Sequence, residues 1–232
     1  MKSVFSILLF CLVLELNAQT AWSTREYRIP GLSQQSMDLG LRYSGVNDSG
    51  DTNLRSLMFS SSWGKSVNDF WETQFTFGLG GTDYYNNNKL SNYDLGWDMV
   101  LKYEEVALSG SKFVPFARGG ITLNLLADPR HSNTSVSKYR KDLPSGQTYL
   151  DYYANYSAGI AYVAPHQKWA LSTEWGSYHW LTGDLDLGDY TESFWSTHLY
   201  YGAFKESGIK LMYSYELDSE MSTYGVYWHK NY

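Results

Sequence analysis

The chain has 232 residues, 43% of them hydrophobic and 17% aromatic, with a formal net charge of −6 and a mean hydropathy of −0.40. Its 21 Tyr, 9 Trp and 10 Phe exclude a disordered chain, and beyond the N-terminal segment no run approaches the ~20 apolar residues of a membrane-crossing helix. Net acidity without any basic block excludes nucleic acid as a partner.

The first element in chain order is MKSVFSILLFCLVLELNAQT, with Lys2, an apolar core from about Val4 to Leu14, and the small Ala18 before Gln19. It reads as a secretory signal peptide over 1–18. Cys11, the single cysteine, lies inside that apolar core behind the bulky Phe10, which argues against lipidation. The exported part is then left without disulfides, thiol catalysis or cysteine-ligated metal. Residues 19–36 are polar and read as a periplasmic lead or an inward plug; their Tyr27-Arg-Ile-Pro30 carries no catalytic signature.

From there apolar and polar residues alternate, as in a strand whose successive side chains point to opposite faces. The segments are 37–43, 57–63, 71–79, 93–103, 113–125, 152–162, 169–175, 195–201, 209–217 and 224–232. The clearest is YDLGWDMVLKY at 93–103, and Pro115 falls near a strand start, where it is best tolerated. On the apolar parity the one charge is Lys230. The other parity carries Asp38, Arg42, Glu72, Asp94, Asp98, Lys102, Arg118, Asp151, Glu174, His198, Lys210, Glu216 and His229.

Alternation alone fits a soluble β-sandwich with its charges outward as well as a membrane barrel with its charges inward. Aromatics at strand ends, such as Tyr43, Trp63, Trp71, Tyr103, Trp169 and Tyr224, favour the barrel, because girdles of that kind flank a lipid-facing band. Connections also alternate in length. Those at 64–69, 164–168 and 205–208 are short, whereas 46–54, 80–92, 127–148 and 178–193 are long; the short 218–221 breaks the pattern. The closing Tyr224-x-Val226-x-Trp228-x-Lys230-x-Tyr232, with the signal peptide and the amphipathic strands, resembles the small Gram-negative outer-membrane β-barrel proteins. The resemblance implies an all-β, antiparallel transmembrane β-barrel over 37–232, of about ten strands (eight to twelve), with short periplasmic turns and longer extracellular loops. It also implies outer-membrane lipid, lipopolysaccharide and the barrel-assembly machinery as partners.

The alternate-parity charges above are thereby expected to line the lumen, and the glycines at 40, 78, 96, 120, 159, 176, 202 and 225 to leave space there. The functional expectation is a narrow passive channel for small solutes, cation-preferring because acids outnumber bases, or a structural, surface-presenting barrel. The alternative is an outer-membrane hydrolase of lipid or peptide substrates, for which Ser172, Glu174, His198, Ser214 and Glu216 would have to converge. His131-Ser132-Asn133 lacks the spacing and context of the lipid A deacylase element, and the full motif set of the omptin proteases is missing. Arg130, Lys138, Arg140 and Lys141 are candidate contacts for surface ligands or phosphates. Asp184-x-Asp186-x-x-Asp189 lacks the full pattern of a calcium loop, so no metal or cofactor is expected.

Overall fold

The computed structural model describes residues 26–46, 55–84, 88–103, 106–127, 148–183, 191–202 and 206–232. Every backbone N–H and C=O in a membrane-spanning strand needs a partner on a neighbouring strand, so an open edge is excluded. The alternating segments meet that demand as antiparallel strands β1 (Gln35–Val46), β2 (Arg55–Ser66), β3 (Trp71–Tyr84), β4 (Asn88–Lys102), β5 (Val106–Leu108), β6 (Ser111–Ala127), β7 (Thr148–Val163), β8 (Trp169–Gly183), β9 (Thr191–Tyr201), β10 (Ser207–Glu216) and β11 (Met221–Asn231). The short β5 folds back on β6 through Ser109 and Gly110, both at positive φ as a two-residue hairpin turn requires. β4 therefore pairs with β6 directly. β1 pairs with β11 from Ser36↔Asn231 to Val46↔Met221, and this ladder closes the ten long strands among the described residues into a barrel. The shortest of them, β10, has 10 residues, enough to cross at a tilt, which takes about nine to eleven.

Burial decides between sandwich and barrel. The apolar parity faces out, with Leu41, Trp175 and Val226 56%, 55% and 58% exposed, while the charged parity is buried. Water would penalise that inversion heavily, and lipid rewards it. The transmembrane barrel therefore stands and the sandwich does not. The few hydroxyls on the outer face have work in this setting: Thr73 accepts the Trp97 indole N–H and Thr173 that of Trp195, each at 2.8 Å. Hydrocarbon offers no such partner.

Two expectations from sequence are corrected. The long connection anticipated at 80–92 is mostly ladder, since β3 and β4 stay paired from Gly80↔Asn92 to Tyr84↔Asn88; likewise β8 runs on to Gly183. Apolar alternation fades where strands leave the lipid band, but the backbone continues to pair. Several of the inward glycines, expected to leave space in the lumen, are covered by side chains. A Cβ on Gly40 would lie 2.5 Å from the Tyr227 ring, one on Gly78 2.6 Å from the Asp94 carboxylate, and one on Gly120 2.2 Å from that of Asp98. These glycines make room for neighbouring bulk within the wall layer.

The strand ends divide into two sets. At one, 67–70, 164–168 and 202–206 link strands, and β1 begins where β11 ends. Asn68 Oδ1 caps the first of these links by accepting the N–H groups of Phe70 and Trp71. The opposite set includes the tight turn at 217–220. The sequence candidates His131, Arg130, Lys138, Arg140, Lys141, Asp184, Asp186 and Asp189 lie outside the described residues.

Candidate functional site

Residues 26–32 lie inside the barrel. Proline at position 30 and glycine at 31, the latter at φ 76°, turn the chain away from β1 and back into the lumen. Glu26, Tyr27, Arg28, Ile29 and Leu32 are all buried. Ile29 and Leu32 belong to one apolar cluster with Val100, Val114, Phe116, Ala161, Val163, Ala170 and Tyr200, contributed by β4 and β6 to β9. Tyr27 stacks near Phe194 at a ring separation of 6.2 Å, shares a hydroxyl hydrogen bond with Tyr178 at 3.0 Å, and lies under the Arg118 guanidinium at 4.3 Å.

Charges from the wall meet charges from this segment. Lys210 pairs with Glu26 and also with Asp38 at 2.8 Å. Glu72 pairs with Arg28 at 3.0 Å and with Lys102 at 3.1 Å, and it accepts hydrogen bonds from Gly31 N–H and the Ser66 hydroxyl. Arg118 pairs with Glu174 at 3.1 Å, and Ser157 donates to the same Glu174 oxygen at 2.7 Å. Buried charges at such positions need partners, because an orphaned one costs several kcal/mol (about 3–5).

The wall also holds the segment by its main chain. Gln74 Oε1 accepts the Arg28 N–H at 2.8 Å while its Nε2 donates to the Glu26 carbonyl at 3.1 Å. Arg118 donates to the Arg28 carbonyl and Lys210 to the Tyr27 carbonyl, both at 3.1 Å. The Tyr27 N–H donates to His198 Nε2 at 3.4 Å.

Each lumen residue named from sequence is buried on the inward parity. Asp38, Glu72, Lys102, Arg118, Glu174, Lys210 and His198 join the network around the segment, as does His229, whose Nδ1 meets Asp38 at 2.6 Å. The other residues make separate contacts. Arg42 pairs with Asp94 and touches Met58 Sδ; Asp98 accepts from Asn155, Asp151 from the Trp180 indole, and Glu216 from Ser219. Of the hydrolase candidates, His198 and Glu174 are engaged separately. Ser172 does stand opposite His198 in the β8–β9 register, but the His198 nitrogens face Tyr27 N–H and Ser196, and Glu174 is held by Arg118 and Ser157. Among the described residues no group of His, Cys, Asp and Glu is arranged to hold a metal ion.

Sequence reasoning missed Glu26, Arg28 and Gln74 as parts of this site. Gln74 carried a usable signal, an uncharged polar residue on the inward parity of β3. Glu26 and Arg28 carried none, because a segment without periodicity does not reveal which way it runs.

No family model matches the chain, and no curated protein matches it in sequence. Solved structures similar to it include the N-terminal β-barrel domain of Pseudomonas aeruginosa OprF, at 12% identity over 85% of this chain and 98% of that one, with a TM-score of 0.40. The translocator domain of the autotransporter NalP from Neisseria meningitidis is similar at 10% identity, 86% and 89% coverage and a TM-score of 0.46. The outer-membrane protease OmpT from Escherichia coli is similar at 8% identity, 90% and 100% coverage and a TM-score of 0.44. At these identities and scores no activity passes from those proteins to this chain. Its own closed ladder, apolar exterior and buried charges make the fold that of an outer-membrane β-barrel.

Proposed function

We propose that the chain is an exported outer-membrane protein that acts as a narrow passive channel, closed at rest by its own residues 26–32. In this reading the signal segment 1–18 directs export, the short links and both ends of the barrel face the periplasm, and β11 is the strand read by the assembly machinery. The observation that carries the reading is the double partnering of the wall charges. Lys210 keeps Asp38, Glu72 keeps Lys102 and Arg118 keeps Glu174, all within 3.1 Å, when Glu26 and Arg28 are left out of the count. The segment can therefore withdraw without orphaning a wall charge, while its own two charges regain water. What retains it is the burial of Tyr27, Ile29 and Leu32, about 1.5–3 kcal/mol for each aliphatic side chain, together with the main-chain hydrogen bonds to the wall.

The test is single-channel recording of the refolded protein in planar bilayers, for the unaltered chain and for Ile29→Asp. The account expects the unaltered chain to be mostly closed and the variant to show frequent discrete steps. A folded, inserted Ile29→Asp protein that never conducts would sink the channel and leave a structural, surface-presenting barrel.

A further inference from the structure

The way residues 26–31 are held has the character of peptide recognition. Six consecutive or nearby main-chain groups are engaged by wall side chains: the Glu26 carbonyl and the Arg28 N–H by Gln74, the Tyr27 N–H by His198, the Tyr27 carbonyl by Lys210, the Arg28 carbonyl by Arg118, and the Gly31 N–H by Glu72. Buried main-chain groups need partners wherever they lie, and in this irregular segment wall side chains supply these six. Main-chain groups are common to every peptide, so a site built on them does not demand one sequence, and pockets for alternate side chains then set preference. Here those pockets are an apolar one for Ile29 and Leu32, a carboxylate opposite Arg28 and an ammonium opposite Glu26.

We propose that the lumen is a peptide-binding site for which residues 26–32 are the tethered ligand, and that a free extended peptide of the same pattern binds when the tether is out. The pattern is an acidic residue, an aromatic, a basic residue and an aliphatic, with a second aliphatic three positions on. This inference rests on the plug reading above. The tether competes with free peptide at the high effective concentration of an intramolecular ligand, millimolar for short linkers, so the unaltered chain is self-inhibited.

The test uses the full chain carrying Arg28→Ala, Ile29→Ala and Leu32→Ala together, with Ile29→Asp alone as a second weakened tether. All of these changes lie outside the strands. The probe is a fluorescein-labelled synthetic peptide with the sequence of residues 26–34, read by anisotropy against protein in lipid nanodiscs, with channel recording on the same preparations. The expected result is binding to the weakened chains at least about tenfold tighter than to the unaltered chain. Adding Gln74→Ala, which removes two of these bonds, should cost more than about tenfold, and N-methylating the main-chain nitrogen of the probe's arginine about tenfold, the worth of roughly one buried hydrogen bond. Weakened chains that conduct but do not bind the probe, or that bind it irrespective of Gln74, overturn this inference and leave the plug standing. Folded weakened chains that neither conduct nor bind overturn both.

Discussion

Gln74 and Arg28 form the central main-chain contact of the lumen: the Gln74 amide accepts the Arg28 N–H at 2.8 Å and reaches the carbonyl of Glu26 at 3.1 Å with its other end. Gln74→Leu keeps the volume and removes both bonds, leaving a buried N–H and a buried carbonyl without these partners. At about 1–3 kcal/mol for each of the two groups so exposed to desolvation, the tethered state should be weakened by about thirtyfold or more. Open probability in bilayer recordings should rise correspondingly, with no loss of the folded barrel on heat-modifiability gels.

Arg42 and Asp94 are an ion pair buried in the lumen wall. Arg42→Met alone removes the guanidinium that faces the Asp94 carboxylate, and Asp94→Leu alone the carboxylate that faces Arg42; each should lower stability by about 3–5 kcal/mol in urea unfolding from detergent or lipid. The double change, which replaces the pair by apolar groups, should recover most of that loss. Additive single losses in the double variant would show that the two residues do not depend on each other.

Thr73 and Trp97 make the corresponding test on the outer face, where the indole N–H has Thr73 as its acceptor. Thr73→Val should cost about 1–3 kcal/mol, and Trp97→Phe should remove most of that penalty when combined with it. A double-mutant cycle read by equilibrium unfolding gives the coupling; zero coupling would place the indole in water rather than at a lipid boundary.

Gly40 on β1 and Gly119 on β6 face different surroundings. A Cβ at Gly40 would come within 2.1 Å of the Val226 carbonyl oxygen, whereas one at Gly119 meets only the Asn155 carbonyl oxygen at 3.9 Å. Gly40→Ala should therefore destabilise the β1–β11 closure by about 1–3 kcal/mol or more through overpacking, and Gly119→Ala should change stability by about 0.5 kcal/mol or less. Equal effects would mean that the closing ladder is not packed as described.

The barrel was legible in sequence because lipid and lumen impose opposite demands on alternate residues, and 93–103 records them cleanly: Leu95, Trp97 and Met99 out, Asp94 and Asp98 in. Strand ends were less legible, as at Gly80 to Tyr84, since ladder pairing outside the lipid band places no apolar requirement on the side chains. The contents of the lumen were legible only in part. Parity identified Glu72 and Lys210 as inward, but nothing in the order of residues could say that Arg28 and Glu26 would fold back to meet them, because that contact is set by the closed shape and not by a local period. The inward glycines misled for a related reason: a glycine marks a place where something approaches, and whether that is solvent or Tyr227 depends on the rest of the wall.

The central claim is that residues 26–32 occupy the lumen, and chemical accessibility tests it most directly. In a Cys11→Ser background, Leu32→Cys and Gln34→Cys place a thiol at a buried and at an exposed position two residues apart. Labelling of the folded protein in lipid vesicles by a polar maleimide should be about a hundredfold slower at position 32 than at 34, because a buried group reacts only through local opening, and the difference should shrink when Gln74→Leu is added. Equal labelling rates at the two positions in the folded barrel would contradict the account.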